Sequence, residues 1–230
     1  MLLSLRSESN LRIILNLNIF IFLIIFYFTK QIELYVTIIF FALIHEISHI
    51  IVGILYGLKA KTLKITPFGV SIYFEKYKKN GGRILEKQKI IIALAGPIMN
   101  LVIAFIIMFL PINLFVHVSQ ANLVYSNLLL TVFNLLPIYP LDGGRIIKSV
   151  LTLKNVEKKK KVVLTERISF VTLIILTTIF SILILMMQNL AIIMILAYLW
   201  FLVVQQIRYN KIRLRVYEIA RKRGRFYFPR

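Results

Sequence analysis

Long apolar runs, separated by short polar and basic segments, dominate the pattern of this sequence. A membrane-crossing helix needs about 20 mostly apolar residues, and six runs are close to that length. They cover Leu11–Phe28, Leu34–Leu55, Ile90–Leu110, Ala121–Leu141, Ile168–Met187 and Leu190–Val204 with its flanks. The pattern therefore predicts an all-α polytopic membrane protein with about six transmembrane helices.

The polar segment after the second run alternates with a period of two residues. Leu63-Lys64-Ile65 and Val70–Phe74 alternate apolar and polar positions, with Pro67-Phe68-Gly69 between them and Gly81-Gly82 after them. This alternation indicates two short strands joined by a turn. We expect a small membrane-associated β-hairpin within residues 60–89; an irregular amphipathic surface loop is the alternative.

Composition agrees with a membrane protein and limits the domain organisation. Hydrophobic residues make up 59% of the 230 residues, above the roughly 45–50% of soluble domains. Cysteine is absent, which excludes disulfides, thiolate ligands and a cysteine nucleophile. No small-residue cleavage site follows the first run, so we interpret it as a retained helix. We expect one membrane domain over 1–207, followed by a short basic tail over 208–230.

The net charge of +20 comes from basic blocks between the apolar runs. The leader through Arg12, the segments 58–89 and 143–167, and the tail hold two, nine, eight and nine of the 29 Lys and Arg residues, whereas the opposite side holds only Lys30. Because basic loops stay in the cytoplasm, we predict that both termini are cytoplasmic. We attribute the blocks to topology and to attraction of anionic lipids, not to nucleic acid.

The second run contains a polar stretch, His45-Glu46-Ile47-Ser48-His49. A charged residue at the centre of a membrane helix costs roughly 2.5–3.5 kcal/mol, so it normally has a function or a partner. His45 and His49 are four residues apart and lie on one face of a helix. Two imidazoles at this spacing can bind one Zn²⁺, with Glu46 as general base in hydrolysis. The alternative is a polar patch that only packs helices together.

A catalytic zinc site needs a third protein ligand and an open position. Asp142 is the only aspartate in the chain, and it follows an apolar run that Pro137 and Pro140, with Gly143 and Gly144, prevent from continuing as a helix. Irregular backbone at membrane depth is tolerated where protein buries it or water reaches it. We predict Asp142 as the third ligand of a site that opens towards the cytoplasm; a turn residue at a helix end is the alternative.

Three motifs together resemble those of the site-2 protease family of intramembrane zinc metalloproteases. They are His45-Glu46-x-x-His49, Ala95-Gly96-Pro97-x-x-Asn100 and Asn134-x-x-Pro137-x-x-Pro140-Leu141-Asp142-Gly143. The third motif, with six helices, is most similar to the stage IV sporulation FB-type subgroup, which processes the precursor of a sporulation sigma factor. The resemblance implies a zinc endopeptidase in a bacterial cell membrane or a sporulation-related membrane, acting in regulated intramembrane proteolysis. Its catalytic core would cover about 34–150, with a cytoplasmic tail over 208–230, and neither a CBS nor a PDZ domain is visible.

The resemblance also implies roles for single residues. His45, His49 and Asp142 would bind one Zn²⁺, and Glu46 would be the general base. Asn134 would hold the substrate or the oxyanion, although an Asn at this position can equally pack between helices. The remaining motif residues are expected to shape and pack the helices: Gly96, Pro97, Asn100, Pro137, Pro140 and Gly143.

The expected partners are a membrane-associated protein substrate and a bilayer with anionic lipids, while inhibitory membrane proteins and homo-oligomerisation stay open. A strand edge within Leu63–Phe74 could pair with an unwound substrate; a surface hairpin without substrate contact is the alternative. An anti-sigma factor or another membrane protein is the alternative substrate. From other classes, a metal transporter would need an inverted repeat that is not visible, and an inactive scaffold is disfavoured because every expected catalytic residue is present.

Overall fold

The computed structural model describes residues 2–6, 12–16, 23–24, 26–28, 30, 32–66, 69–74, 84–110, 118–187 and 190–222. The chain forms two compact units, Met1–Leu135 and Leu136–Arg230.

The first unit contains the helices α1 (Ile32–Leu55), α2 (Glu86–Phe109) and α3 (Gln120–Leu135). Both α1 and α2 have 24 residues and are long and apolar enough to cross a membrane. The three helices pack around a buried apolar cluster formed by Phe41, Ala42, Ile107, Leu123 and Leu130. This cluster holds the three helices of the first unit together.

The exposure of apolar and polar side chains on α1 is opposite to that on a helix of a soluble protein. Large apolar side chains such as Phe40, Ile47 and Ile51 are about half exposed, whereas Thr37 and Ser48 are buried. A helix in lipid turns its polar residues towards the protein interior, because hydrocarbon offers them no partner. The distribution of side chains therefore agrees with the prediction that α1 lies in a membrane.

The first unit also contains a four-stranded sheet. Its strands are β1 (Leu2–Arg6), β2 (Arg12–Asn16), β3 (Ala60–Thr66) and β4 (Gly69–Phe74), in the order β1-β2-β3-β4. β3 and β4 pair antiparallel, with Leu63 opposite Ile72, where alternation predicted strands. β2 pairs antiparallel with β1 and parallel with β3, so the sheet is larger than the expected hairpin.

The N-terminal strands require a correction to the predicted first helix, Leu11–Phe28. Residues Arg12–Asn16 form β2, so a helix that begins at Leu11 is wrong at its start; residues 23–24 and 26–28 are helical. Hydropathy cannot distinguish a short apolar strand from the start of an apolar helix. Residues 12–16 form a strand because they pair with β1 on one side and with β3 on the other.

The second unit contains α4 (Asp142–Leu153), α5 (Lys158–Met187) and α6 (Leu190–Lys222). The part of α5 from Lys158 to Ser181 is the third helix of the described chain that is long and apolar enough to cross a membrane. Six crossings therefore stay a prediction. The tight turn predicted at residues 188–189 lies outside the described residues.

The ends of two helices follow from the residues beside them. α3 ends at Leu135, where the prolines were predicted to interrupt the fourth run, because a residue that precedes proline, such as Leu136, is disfavoured in the α conformation. The sixth run, Leu190–Val204 with its flanks, lies in α6, which continues through the basic segment to Lys222. Hydrogen bonding of Asn210 Nδ2 to Glu166 Oε1 at 2.8 Å holds this extension against α5. Residues 223–230 of the tail lie outside the described residues.

Candidate metal and catalytic site

The two histidines of α1 occupy one buried face of the helix. His45 is 4% exposed and His49 is 2% exposed, and their rings meet edge to face with centroids 4.8 Å apart. Glu46 follows His45 directly and is also buried. The predicted i, i+4 arrangement is therefore present, and it places two imidazoles side by side in an otherwise apolar helix.

A backbone carbonyl determines the tautomer of His49. Its Nδ1 lies 2.6 Å from the carbonyl oxygen of Ile92 in α2. A carbonyl oxygen can only accept a hydrogen bond, so Nδ1 carries the proton and donates it. In a neutral imidazole the lone pair is then on Nε2, which is the atom available to a metal ion.

The ring of His45 is held closely by α2. Nδ1 of His45 lies 3.2 Å from the side-chain amide nitrogen of Asn100. A Cβ atom added at Gly96 would lie 2.5 Å from Nε2 of His45 and 2.6 Å from its Cδ2 and Cε1. Glycine at position 96 is thus required by the close approach of the imidazole, which gives this predicted motif residue a specific structural role.

Pro97, the next residue of the same motif, links α2 to α3. Proline is buried here inside the helix, and its carbonyl oxygen accepts a hydrogen bond from Thr131 Oγ1 at 3.3 Å. Thr131 Oγ1 also lies 3.0 Å from the carbonyl oxygen of Asn127 in its own helix. Interhelical hydrogen bonds of this kind fix the packing of membrane helices.

Asp142 is the first residue of α4 and is 4% exposed. The turn before it contains Pro137 and a cis peptide bond between Tyr139 and Pro140, and the prolines interrupt the helix as predicted. Asp142 Oδ1 accepts a hydrogen bond from Arg145 Nη1 at 3.3 Å. The carboxylate also lies at a helix N-terminus, where negative charge is favoured.

Two features of the second unit fix the position of the turn that precedes Asp142. A Cβ atom at Gly144 would collide with the backbone of Ile138 and Tyr139, so only glycine allows α4 to pack against the turn. The backbone N–H of Tyr139 donates a hydrogen bond to Ser169 Oγ at 2.9 Å. Gly143, which lies between Asp142 and Gly144 in the chain, is also buried.

The three predicted metal ligands are all buried side chains. His45 and His49 lie side by side in α1, and Asp142 begins α4. Two imidazoles and one carboxylate are the donors of a catalytic zinc site with three protein ligands and one open position. The donor set therefore fits a zinc ion.

The side chain of Asn134, for which sequence reasoning left substrate contact and helix packing equally open, bonds within its own helix. Its amide Nδ2 donates a hydrogen bond to the carbonyl oxygen of Leu130, four residues earlier in α3, at 3.0 Å. A contact with substrate stays a prediction for this half-buried residue. Sequence analysis missed the carbonyl of Ile92 and the hydroxyl of Ser169, because neither belongs to a recognisable motif.

Comparisons with known proteins agree with this fold and these motifs. A family model described as Peptidase family M50 matches residues 33–123 and 115–176, which together are more than half of the chain. The chain therefore belongs to Peptidase family M50. This confirms the membership in a metalloprotease family that the three motifs predicted.

Individual relatives match about half of the chain. A zinc metalloprotease of Methanocaldococcus jannaschii is 30% identical over 48% of this chain and 32% of its own length. Stage IV sporulation protein FB of Bacillus subtilis is 31% identical over 46% of this chain and 35% of its own length. The chain thus spans about a third of the length of these relatives.

A solved structure shows the same fold over nearly the whole chain. The site-2 protease from Methanocaldococcus jannaschii matches 90% of this chain and 95% of its own, with a TM-score of 0.67 and 23% sequence identity. At 23% sequence identity, this similarity shows a shared fold.

Proposed function

We propose that this protein is an intramembrane zinc endopeptidase that hydrolyses a peptide bond in or near the membrane segment of a membrane-associated protein. The observation that carries the proposal is the pair of buried imidazoles of His45 and His49 in α1, with the carboxylate of Glu46 next to the first of them. Membership in Peptidase family M50 supports it. No feature of the described residues specifically favours the metal transporter.

The proposed chemistry divides between the metal and one carboxylate. His45, His49 and Asp142 would hold the zinc ion, which supplies Lewis acidity that activates water and polarises a carbonyl. Glu46 takes a proton from the attacking water onto a carboxylate oxygen and later gives it to the leaving amide nitrogen. Burial of Glu46 limits access of bulk water to this proton. Asn134 is proposed to stabilise the substrate or its oxyanion.

The sheet offers a way to present an extended substrate to the site. β3 is an interior strand because it pairs with both β2 and β4, whereas β4 pairs only with β3 among the described strands. The ring of Phe74 in β4 packs against Gly53 of α1, the helix that carries the histidines. We therefore assign substrate pairing to β4, through main-chain hydrogen bonds to a segment unwound from its helix.

The proposed orientation places both termini and the opening of the site towards the cytoplasm. The distribution of basic residues supports it, as does the sheet, in which β2 with Arg12 pairs with β3, which contains Lys61 and Lys64. The basic residues would then contact anionic lipid headgroups. We further propose that the chain crosses a bacterial membrane six times.

The similarity to stage IV sporulation protein FB of Bacillus subtilis supports a narrower proposal about the substrate. The substrate would be the membrane-associated precursor of a sporulation sigma factor, with an anti-sigma factor as the alternative. An inhibitory membrane protein could then control access to the site. Identification of the cleaved proteins in the proteoliposome experiment described next distinguishes between these two substrates.

The first test compares the full chain with its Glu46→Gln variant in zinc-loaded proteoliposomes. Bacterial membrane proteins are added, and new peptide termini are quantified by mass spectrometry. We expect termini within or beside membrane segments with the original chain and none with Glu46→Gln, which should still bind zinc. Glu33→Gln, in the first turn of the same helix, is the matched control and should remain active.

The proposal would be wrong if Glu46→Gln produced the same termini as the original chain. Zinc flux into sealed vesicles that continued in the Glu46→Gln variant would instead support a transporter. Zinc content is measured in every sample, so loss of metal and loss of the general base are distinguished.

A further inference from the structure

Asn100 is a fully buried amide whose hydrogen bonds are incomplete. It lies in α2 with 0% exposure. Its Nδ2 is 3.2 Å from Nδ1 of His45, and its Oδ1 has no hydrogen-bond partner among the residues that the structure describes. A buried polar atom without a partner is costly, so its presence beside a metal-ligating histidine requires an explanation.

The orientation of this amide decides where the proton of His45 lies. If Nδ2 donates to Nδ1, a neutral imidazole must carry its proton on Nε2. Nε2 then has no lone pair for a metal ion. Rotation of the amide by 180° places Oδ1 against Nδ1, so that Oδ1 accepts Nδ1–H and the lone pair moves to Nε2.

The orientation in which Nδ2 faces His45 leaves Oδ1 without a partner among the described residues, whereas the rotated orientation gives Oδ1 a donor. Metal binding favours the rotated orientation as well, because only that orientation leaves Nε2 of His45 as a ligand. His49 provides the comparison: its Nδ1 proton is held by the carbonyl of Ile92 at 2.6 Å, a group that can only accept. Metal-binding histidines commonly use such an acceptor on the other ring nitrogen.

We propose that Asn100 is a positioning residue for the metal ligand His45, with its amide oxygen accepting Nδ1–H so that Nε2 faces the metal. Asn100 thereby acts on His45 as the Ile92 carbonyl acts on His49. The inference rests on the metal site of the proposed function, but not on peptide cleavage. It replaces simple helix packing, the role that sequence reasoning favoured for this residue.

The test measures zinc affinity, by competition with a chromophoric chelator, for the full chain in detergent. Asn100→Leu keeps the approximate volume and removes the acceptor, and we expect a loss of about 10–100-fold in affinity. Asn100→Asp keeps an acceptor oxygen and removes the donor, and it should bind zinc at least as tightly as the original chain. The absorption spectrum of bound Co²⁺ should change in Asn100→Leu and stay the same in Asn100→Asp.

Asn127 provides a matched control within the same unit. It is also fully buried, and its Oδ1 likewise has no partner among the described residues. Its Nδ2 donates to the carbonyl oxygen of Leu123 at 2.9 Å, within α3. Asn127→Leu and Asn127→Asp should therefore leave zinc affinity unchanged, apart from any general effect of an added negative charge.

Two results would overturn the inference. Unchanged affinity and an unchanged Co²⁺ spectrum in Asn100→Leu would show that Asn100 only packs. An equal loss of affinity in Asn100→Asp and Asn100→Leu would show that the amide donor is the essential group, and Asn100→Asp answers this question even if Asn100→Leu does not fold. A chain that binds zinc and obeys the expected pattern without cleaving any substrate would refute the proposed function alone.

Discussion

Gly96→Ala adds one methyl group where α2 meets the metal ligand of α1. The new Cβ would lie 2.5 Å from Nε2 of His45, about 1 Å inside the optimal separation of roughly 3.5 Å. Metal–ligand distances tolerate errors of only about 0.2 Å, so the imidazole cannot make room and still bind well. We expect zinc affinity to fall by about 10–100-fold.

The same substitution should not weaken the helix itself. Alanine is favoured over glycine in a helix interior by about 0.5–1 kcal/mol. Gly96→Ala should therefore lower the part of the free energy of unfolding that depends on bound zinc. A hundredfold weaker site loses up to about 2.7 kcal/mol of the stabilisation that zinc provides.

The assay combines zinc affinity with thermal unfolding in the presence and absence of zinc. Gly53→Ala is the control, because its Cβ would also meet an aromatic ring at 2.5 Å, but that ring belongs to Phe74 of β4. Gly53→Ala should keep the zinc-dependent shift in unfolding temperature, whereas the shift should be smaller in Gly96→Ala than in the original chain. Equal zinc affinity in Gly96→Ala and the original chain would refute the reasoning.

Two further substitutions test the part of the site in the second unit. Asp142→Asn removes the anionic ligand, so elemental analysis of the purified variant should find little zinc; full occupancy would exclude Asp142 as the third ligand. Ser169→Ala leaves the buried N–H of Tyr139 without its acceptor, which should lower the free energy of unfolding by about 1–3 kcal/mol. Ser169→Thr, which keeps the hydroxyl, should restore it, and failure of this rescue would contradict the role given to Ser169.

The proposed metal ligands stand out in the sequence because their chemistry is rare in an apolar chain. His45 and His49 are two of only three histidines, and Asp142 is the only aspartate. Helical periodicity alone places the two histidines on one face. The break before Asp142 was also predictable, because Pro137 and Pro140 cannot continue a helix.

Groups that position these residues could not be predicted in the same way. The acceptor for His49 is the backbone carbonyl of Ile92, and every residue carries such a carbonyl. Strand β2 was missed because Arg12–Asn16 is short and apolar, and its conformation depends on partners that are distant in sequence. Asn100 was visible as a motif residue, but its relation to His45 depends on an approach of two helices that local patterns do not encode.

The parallel pairing of β2 with β3 has a consequence for how the protein is assembled. Parallel neighbours need a long crossover connection, and here that connection contains α1. β2 therefore cannot pair with β3 until the whole of α1 has been synthesised, because α1 lies between these strands in the chain. Until then the edge of β2 that faces β3 lacks its partner, and exposed strand edges promote aggregation.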